Sequence, residues 1–194
     1  VPRRNTRKAP QGNTLYHVYN RERDRLPMFI DDQDRLTFTR MITRYLTEQP
    51  SFDSRGRPYR SLRDAVRLES LALETTHYHS AMYQLIPGGI EALMNGAVTG
   101  YVRYFHRRHG GEGAMFRGEY RCAPRLDRYG QKTLFAYIHD NHGADCHCRF
   151  CTHRYFLDPT DAPNWLHTER ALALFGGSEG YQQFRAARSL IKGP

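Results

Sequence analysis

No apolar run in this chain approaches the roughly 20 residues needed to cross a bilayer. No signal-peptide pattern stands at its start, VPRRNTRKAP, which lacks an initiator Met and reads as processed or trimmed. No membrane partner is therefore expected. Cysteine is sparse: Cys122, Cys146, Cys148 and Cys151, three of them in one short stretch. That is no disulfide framework, and it points to reducing cytoplasm. Internal repeats and low-complexity segments are lacking too. Acid is in short supply, with 20 Asp+Glu against 29 Lys+Arg, a net charge of +9 and a pI near 9.6. Lysine is scarce beside arginine, whose planar fork matches phosphate and stacks on bases. The balance suits a nucleic-acid partner, although an unspecialised basic surface would show the same charge.

What is present fits a globular chain. Of 194 residues, 39% are hydrophobic and 25% charged, enough for one domain over residues 1–194 with a small appendage. Residues 1–13 read as a flexible basic arm. Leu15–Asn20 reads as a strand, and Asp31 and Asp32 open a helix to about Glu48. Pro50–Arg60 is a loop or hairpin. Most of Val66–Ile86 reads as one long strand, rich in β-branched and aromatic residues. Ile90–Arg108 has helical spacing and stops at His109-Gly110-Gly111. Met115–Leu126 reads as a strand and Tyr129–Asn141 as a helix. Residues 143–194 form a C-terminal extension with a Cys/His stretch and two helices, Asn164–Phe175 and Glu179–Ile191. Their apolar residues (Trp165, Leu166, Leu172, Leu174 and Phe175, then Tyr181, Phe184 and Leu190) predict that both dock on the body. The pattern is α+β, a central antiparallel sheet with helices packed on it.

His77 and His79, in LALETTHYHSAMYQLI, are the first chemical signal. Two residues apart on a strand, both imidazoles face one side and Tyr78 the other, so both can reach one ion. Alone, the pair also fits two unrelated strand histidines. Downstream, Tyr137 and Asn141 are four apart on a helix and share a face. An Asn amide oxygen can ligate a hard cation, and a Tyr hydroxyl can attack phosphorus. Alone, Tyr137 also fits a packed aromatic.

Between Tyr101 and Lys132 lie Arg103, Arg107, Arg108, Arg117, Arg121, Arg125, Arg128 and Lys132. They are opposed by Glu112, Glu119 and Asp127 and interleaved with aromatics. With Arg3 and Arg4 of the arm, these arginines are candidates for phosphate contact, and the aromatics for either base stacking or core.

Four blocks carry a family resemblance: TLYHVYNRERDRLPMFIDDQDRLTF, the His77-Tyr78-His79 pair, YVRYFHRRHGGEGAMFRGEYRC and AYIHDN. The late segment THRYFLDP…NWLHTERALALFG…YQQF adds to them. Together they resemble the single-tyrosine HUH transposases, most closely the REP-associated tyrosine transposase branch. The resemblance implies a ferredoxin-like or RRM-like HUH endonuclease fold with the His pair on a middle strand. It implies Mg²⁺ or Mn²⁺ held by His77, His79 and Asn141. It also implies nicking and rejoining of single-stranded hairpin DNA through a 5′-phosphotyrosine intermediate on Tyr137, and His153 as structural. The chain departs from its relatives at Thr76, where they usually have Asn, at Ser80-Ala81-Met82, and at His142 after the Asn. Relatives include dimers that swap helices and monomers; the extra C-terminal helices favour a monomer here.

Cys146, Cys148, Cys151 and His153 offer thiolate and imidazole within a short span, a donor set that suits Zn²⁺ but is not a standard finger; reduced thiols are the alternative. Cys122 reads as core. Two other functions compete: a domesticated relative that binds DNA without turnover, and a Zn-dependent RNA-binding protein. Metal analysis separates the last from the transposase reading. Tightly held zinc without Mg²⁺ or Mn²⁺ dependence is the outcome expected of the RNA-binding protein alone.

Overall fold

A computed structural model of the chain describes residues 11–22, 27–113, 115–140 and 149–192. The strands are β1 (Thr14–Arg21), β2 (Val66–Leu73), β3 (His77–Gln84) and β4 (Arg121–Arg125). The helices are α1 (Asp32–Thr43), α2 (Gly89–His109), α3 (Arg128–Asp140), α4 (Arg154–Leu157), α5 (Glu169–Phe175) and α6 (Ser178–Lys192). The strands pair antiparallel in the order β2-β3-β1-β4. From β1 to β4 the elements run β-α-β-β-α-β, the ferredoxin-like succession.

The expected long strand over Val66–Ile86 is two strands of a hairpin. Leu73 faces Tyr78, and the Glu74 N–H donates to the His77 carbonyl at 2.8 Å. The turn is Thr75-Thr76, with none of the Gly, Asn or Pro that usually mark one. Its carbonyls are held from outside. Met28 and Phe29 N–H groups donate to Thr75 O at 2.8 and 3.2 Å, and Glu22 N–H donates to Thr76 O at 2.8 Å. Two β-branched residues thus turn because the segment after β1 satisfies their backbone.

Alternation along the strands sorts the side chains to two faces. On one face Tyr16, Val18, Tyr78 and Met82 meet Phe38 and Ile42 of α1 and Ile90, Leu93, Met94, Ala97 and Tyr101 of α2. Helix α1 starts as the sequence predicts, with the Asp31 side chain accepting from the Asp34 N–H, but ends at Thr43. A β-carbon at Gly96 of α2 would meet the Tyr45 hydroxyl, so this glycine lets the two helical segments close on each other. Gly110, at φ 75°, stops α2 in a backbone conformation that favours glycine. On the other face Leu15, Ala72 and Ala81 pack under Leu134, Phe135 and Ile138 of α3 and Leu172, Phe175 and Tyr181 of the C-terminal helices.

The C-terminal segments also cover the outer edge of β2, an edge that would otherwise template another strand. Leu73 N–H donates to Phe150 O at 3.1 Å, Thr152 N–H to Leu71 O at 2.9 Å, and His167 N–H to Leu68 O at 2.9 Å. A bulge between Leu68 and Ser70 frees Glu69 from the register. Its fully buried carboxylate takes two hydrogen bonds from Arg170 of α5, at 2.6 and 2.5 Å. Arg185 and Arg188 of α6 pair with Asp140 of α3 at 2.9 and 3.2 Å.

Docking of both C-terminal helices therefore agrees with the expectation, with three changes. Helix α5 begins only at Glu169, because Leu166 bridges to Leu68 of the sheet; a short additional helix, α4, precedes it; and Leu190 is exposed. The strand expected over Met115–Leu126 shrinks to β4, with Phe116 bridging Glu22. Of the expected arm, residues 1–10 lie outside the described residues. Gln11 is fastened, its carbonyl accepting from Gln84 Nε2 at 2.8 Å.

Asp34 ties the first turn of α1 to the last turn of α2. It is fully buried and accepts from Ile30 N at 2.9 Å, Tyr104 Oη at 3.0 Å and Arg108 Nη1 at 2.6 Å, with His109 Nε2 at 3.0 Å. Burial alone would raise its pKa, but these partners outweigh it and hold the carboxyl below its ordinary value. A depressed carboxyl stabilises the fold above its unfolded pKa and loses that contribution as pH falls through the folded value. Asp34→Asn is expected to cost about 1.5–3 kcal/mol at pH 7. In thermal melts the gap between wild type and variant should close below about pH 4; a gap that persists unchanged to pH 2 contradicts this account.

Candidate active site

The site lies on the α3 face of the sheet, where β1 and β3 run side by side. Their register sets Tyr19 opposite His79, His17 opposite Ala81 and Arg21 opposite His77. Alternation then sends His17, Tyr19, His77 and His79 to one face. Helix α3 lays Tyr137 over them. Its ring centre is 5.3 Å from that of His79 and 5.7 Å from that of His17, edge-on to both. The His77 and His79 rings are 5.0 Å apart. Tyr137 is 37% exposed, with its ring braced by the two histidines.

Both histidines of the pair are held by Nδ1. The Thr76 hydroxyl lies 3.1 Å from His77 Nδ1, and His17 Nε2 lies 2.8 Å from His79 Nδ1. His17 is itself stacked on Tyr19, with centroids 4.5 Å apart and planes at 24°. Burial, aided by His79 and Arg125, pushes the His17 pKa down to about 2, so this imidazole is neutral. Burial lowers the His77 pKa as well, against an opposing pull from Glu22. Two imidazoles on one face, each engaged through Nδ1, are what a divalent cation needs from nitrogen donors. The pair supplies two ligands. Among the described residues no group of three or more His, Cys, Asp or Glu could hold a metal. Asn141, the expected third ligand, and His142 lie outside the described residues.

The arginines divide by position. Arg121 faces Tyr19 across the β1–β4 pair and Arg125 faces Leu15, so both project from the histidine face. Arg21, Arg117 and Arg121, all exposed, join Tyr19 and Asn20 around a cleft of about 250 Å³ beside the histidines. Arg103 and Arg107 are exposed on α2, in the opposite helical layer, and are not brought to this site. Arg108 is taken by the fold, bonded to Asp31 at 2.7 Å and Asp34 at 2.6 Å. Arg128 donates to the Leu174 carbonyl at 2.9 Å, and Lys132 lies over the Phe175 and Phe184 rings. Arg3 and Arg4 lie outside the described residues.

Sequence reasoning missed His17, Tyr19 and Arg21. Their signal was in the sequence: in HVYNR a His, an aromatic and a cation alternate with a period of two on a strand.

The Cys/His stretch is placed in part. Cys146 and Cys148 lie outside the described residues. Cys151 is buried in the apolar cluster beneath α3, and Cys122 points from β4 into the α1–α2 core, its thiol pushed up to about 12 by burial. His153 Nε2 accepts a hydrogen bond from Arg185, and its ring lies 5.5 Å from that of His139. One ring nitrogen of His153 is thus paired with a guanidinium within the fold.

A scan against protein-family models finds no match, and neither does a search of curated proteins. Among solved structures, the REP-associated tyrosine transposase bound to a REP hairpin matches over 84% of this chain and 90% of its own. The TM-score is 0.53 and the identity 11%. This chain shares the fold of a REP-associated tyrosine transposase. The fold expected from the sequence motifs is therefore the one observed, at an identity where most side chains have been replaced. No helix among the described residues is long and apolar enough to cross a membrane.

Proposed function

We propose that the chain is a transposase-like, metal-dependent endonuclease and strand transferase that acts on single-stranded hairpin DNA through Tyr137. One observation carries the reading: Tyr137 stands 5.3 Å, ring to ring, from His79, with His77 next to it on the same sheet face. In this reading His77 and His79, with Asn141, hold Mg²⁺ or Mn²⁺. The ion supplies charge that polarises a non-bridging oxygen of the scissile phosphate.

The chain's own residues do the rest. The Tyr137 oxygen attacks the phosphorus, forming a 5′-phosphotyrosine bond as the bond to the 3′ oxygen breaks. The phenol loses its proton and the departing 3′ oxygen gains one. The same 3′ hydroxyl, or another, reverses the step and rejoins the strand. Arg21, Arg117 and Arg121 offer the cleft in which flanking phosphates can sit, and Arg125 adds positive charge on the same face. The exposure of Tyr137 beside the histidine pair favours turnover over a binding-only role. The two ion pairs that hold α6 to α3 oppose exchange of the Tyr137 helix between copies, so we assign a monomer, acting over residues 1–194 as one unit in the cytoplasm.

Labelled single-stranded hairpins incubated with the protein and Mn²⁺ should give a covalent adduct on a denaturing gel. Tyr137→Phe is expected to abolish the adduct while leaving hairpin affinity within about twofold, since one oxygen is lost. An adduct that survives, or maps to Tyr129, refutes the assignment. His77→Ala and His79→Ala should each remove cleavage, as should chelation.

Affinity should fall with salt, with a slope near −0.7 for each phosphate contacted on a single strand. Arg21→Ala and Arg121→Ala are each expected to flatten that slope by about 0.7 and to weaken binding to unrelated hairpins alike. Equal or larger losses from Arg103→Ala, on the other layer, would move the DNA path away from the cleft.

A further inference from the structure

His17 has no role in the motifs that mark the histidine pair, yet its Nε2 lies 2.8 Å from His79 Nδ1. We propose that His17 is a positioning residue that fixes the tautomer and orientation of His79, so that His79 meets a divalent cation through Nε2. This deepens the reading above and rests on it.

The geometry leaves little choice of roles. His17 Nε2 and His79 Nδ1 are 2.8 Å apart, a hydrogen-bond length, and both residues are buried, at 6% and 7% exposure. One of the two nitrogens must carry the proton. If His17 carries it, the neutral His79 must hold its own proton on Nε2, and that edge can only donate. If His79 carries it on Nδ1, its Nε2 has a lone pair and can ligate. The second arrangement requires His17 to accept through Nε2 and to hold its proton on Nδ1.

Metal-binding histidines usually donate their second N–H to a carboxylate, a carbonyl or water, which fixes the ring and its tautomer. Here a second imidazole takes that place. It can serve because it is rigid. The His17 ring is stacked on Tyr19 and lies edge-on to Tyr137, and β1 pairs on both sides. The other histidine of the pair has a similar but lighter support, since the Thr76 hydroxyl meets His77 Nδ1 at 3.1 Å. A hydroxyl rotates and can donate or accept; an imidazole buried between two strands and two tyrosines cannot swing away from His79, so its tautomer alone sets its role. His17 thus gives the site a fixed side and Thr76 an adaptable one.

The test has two readouts that do not depend on cleavage. In the metal-free ¹⁵N-labelled protein, long-range ¹H–¹⁵N spectra report the tautomer of each histidine, with His79 assigned by its absence in His79→Ala. The expected state is Nδ1–H on His79; Nε2–H as its main form overturns the proposal. Mn²⁺ affinity is then measured from the free-ion electron paramagnetic resonance signal, with thermal melting run alongside.

His17→Phe keeps the ring volume and the contact with Tyr19 but removes the acceptor, and should weaken Mn²⁺ binding by about 10–100-fold. His17→Gln, whose amide oxygen can accept from Nδ1–H, should recover most of the loss. A merely structural role would lower the melting temperature of both variants without separating their affinities. Wild-type Mn²⁺ affinity in a folded His17→Phe protein overturns the proposal alone. Wild-type affinity in His79→Ala removes the metal assignment itself, and this role with it. Should His17→Phe fail to fold, the tautomer in the wild type and the affinity of His17→Gln still decide.

Discussion

The antiparallel pairing of β1 with β3 is the constraint on which the site depends. Its register puts Tyr19 against His79, and a strand has no intermediate positions. A slip of one residue would turn His17 and Tyr19 into the α1–α2 core and bring Tyr16 and Val18 under Tyr137. The core prevents this: Tyr16, Val18, Tyr78 and Met82 are fully buried against α1 and α2, so the slip would bury imidazole and guanidinium in their place. Apolar packing on one face thereby fixes polar chemistry on the other.

The second face needs a cover, and the C-terminal part provides it. In a bare β-α-β-β-α-β unit both helices lie on one side and the far side of the sheet is open. Here α3 to α6 close most of that side with a separate apolar cluster. The Glu69–Arg170 pair sets where the cover sits. Taking a carboxylate out of water is costly, and only a well-aligned partner compensates. The bulge at Glu69 is tolerable with Arg170 in place, and it fixes α5 over β2. The closure covers Leu15 at the start of β1 but leaves Tyr137 and the arginine cleft beside Tyr19 exposed.

Much of this was legible in the sequence because it follows from period and composition. The α+β class, the extent of α2, the shared face of His77 and His79 and the docking of the C-terminal helices all came from spacing. What stayed hidden was set by tertiary partners. Thr75-Thr76 has no turn chemistry of its own and bends because Met28, Phe29 and Glu22 bond its carbonyls. Leu166 has helical neighbours but pairs with the sheet. Arginine composition carries no address: Arg108 and Arg121 look alike in the chain, yet one is spent on Asp31 and Asp34 and the other lines the cleft. His17 was overlooked because a single histidine on a strand says nothing until its cross-strand neighbour is known.

The division of the arginines has a consequence for how a nucleic acid could lie on this protein. Arg21, Arg117 and Arg121 cluster at the end of β1 beside Tyr19, with Arg125 further along the same face opposite Leu15, while Arg103 and Arg107 sit on the outer side of α2. The sheet and its two helical layers separate these groups, and salt damps direct influence beyond roughly 8–10 Å. A charge on α2 therefore adds little to the field at the histidines, whereas each arginine at the cleft acts within a few residues of Tyr19. A single strand passing Tyr137 would meet the cleft first. Contact with α2 as well would require a longer or folded substrate that turns the edge of the sheet at β4, the strand from which Arg121 and Arg125 project.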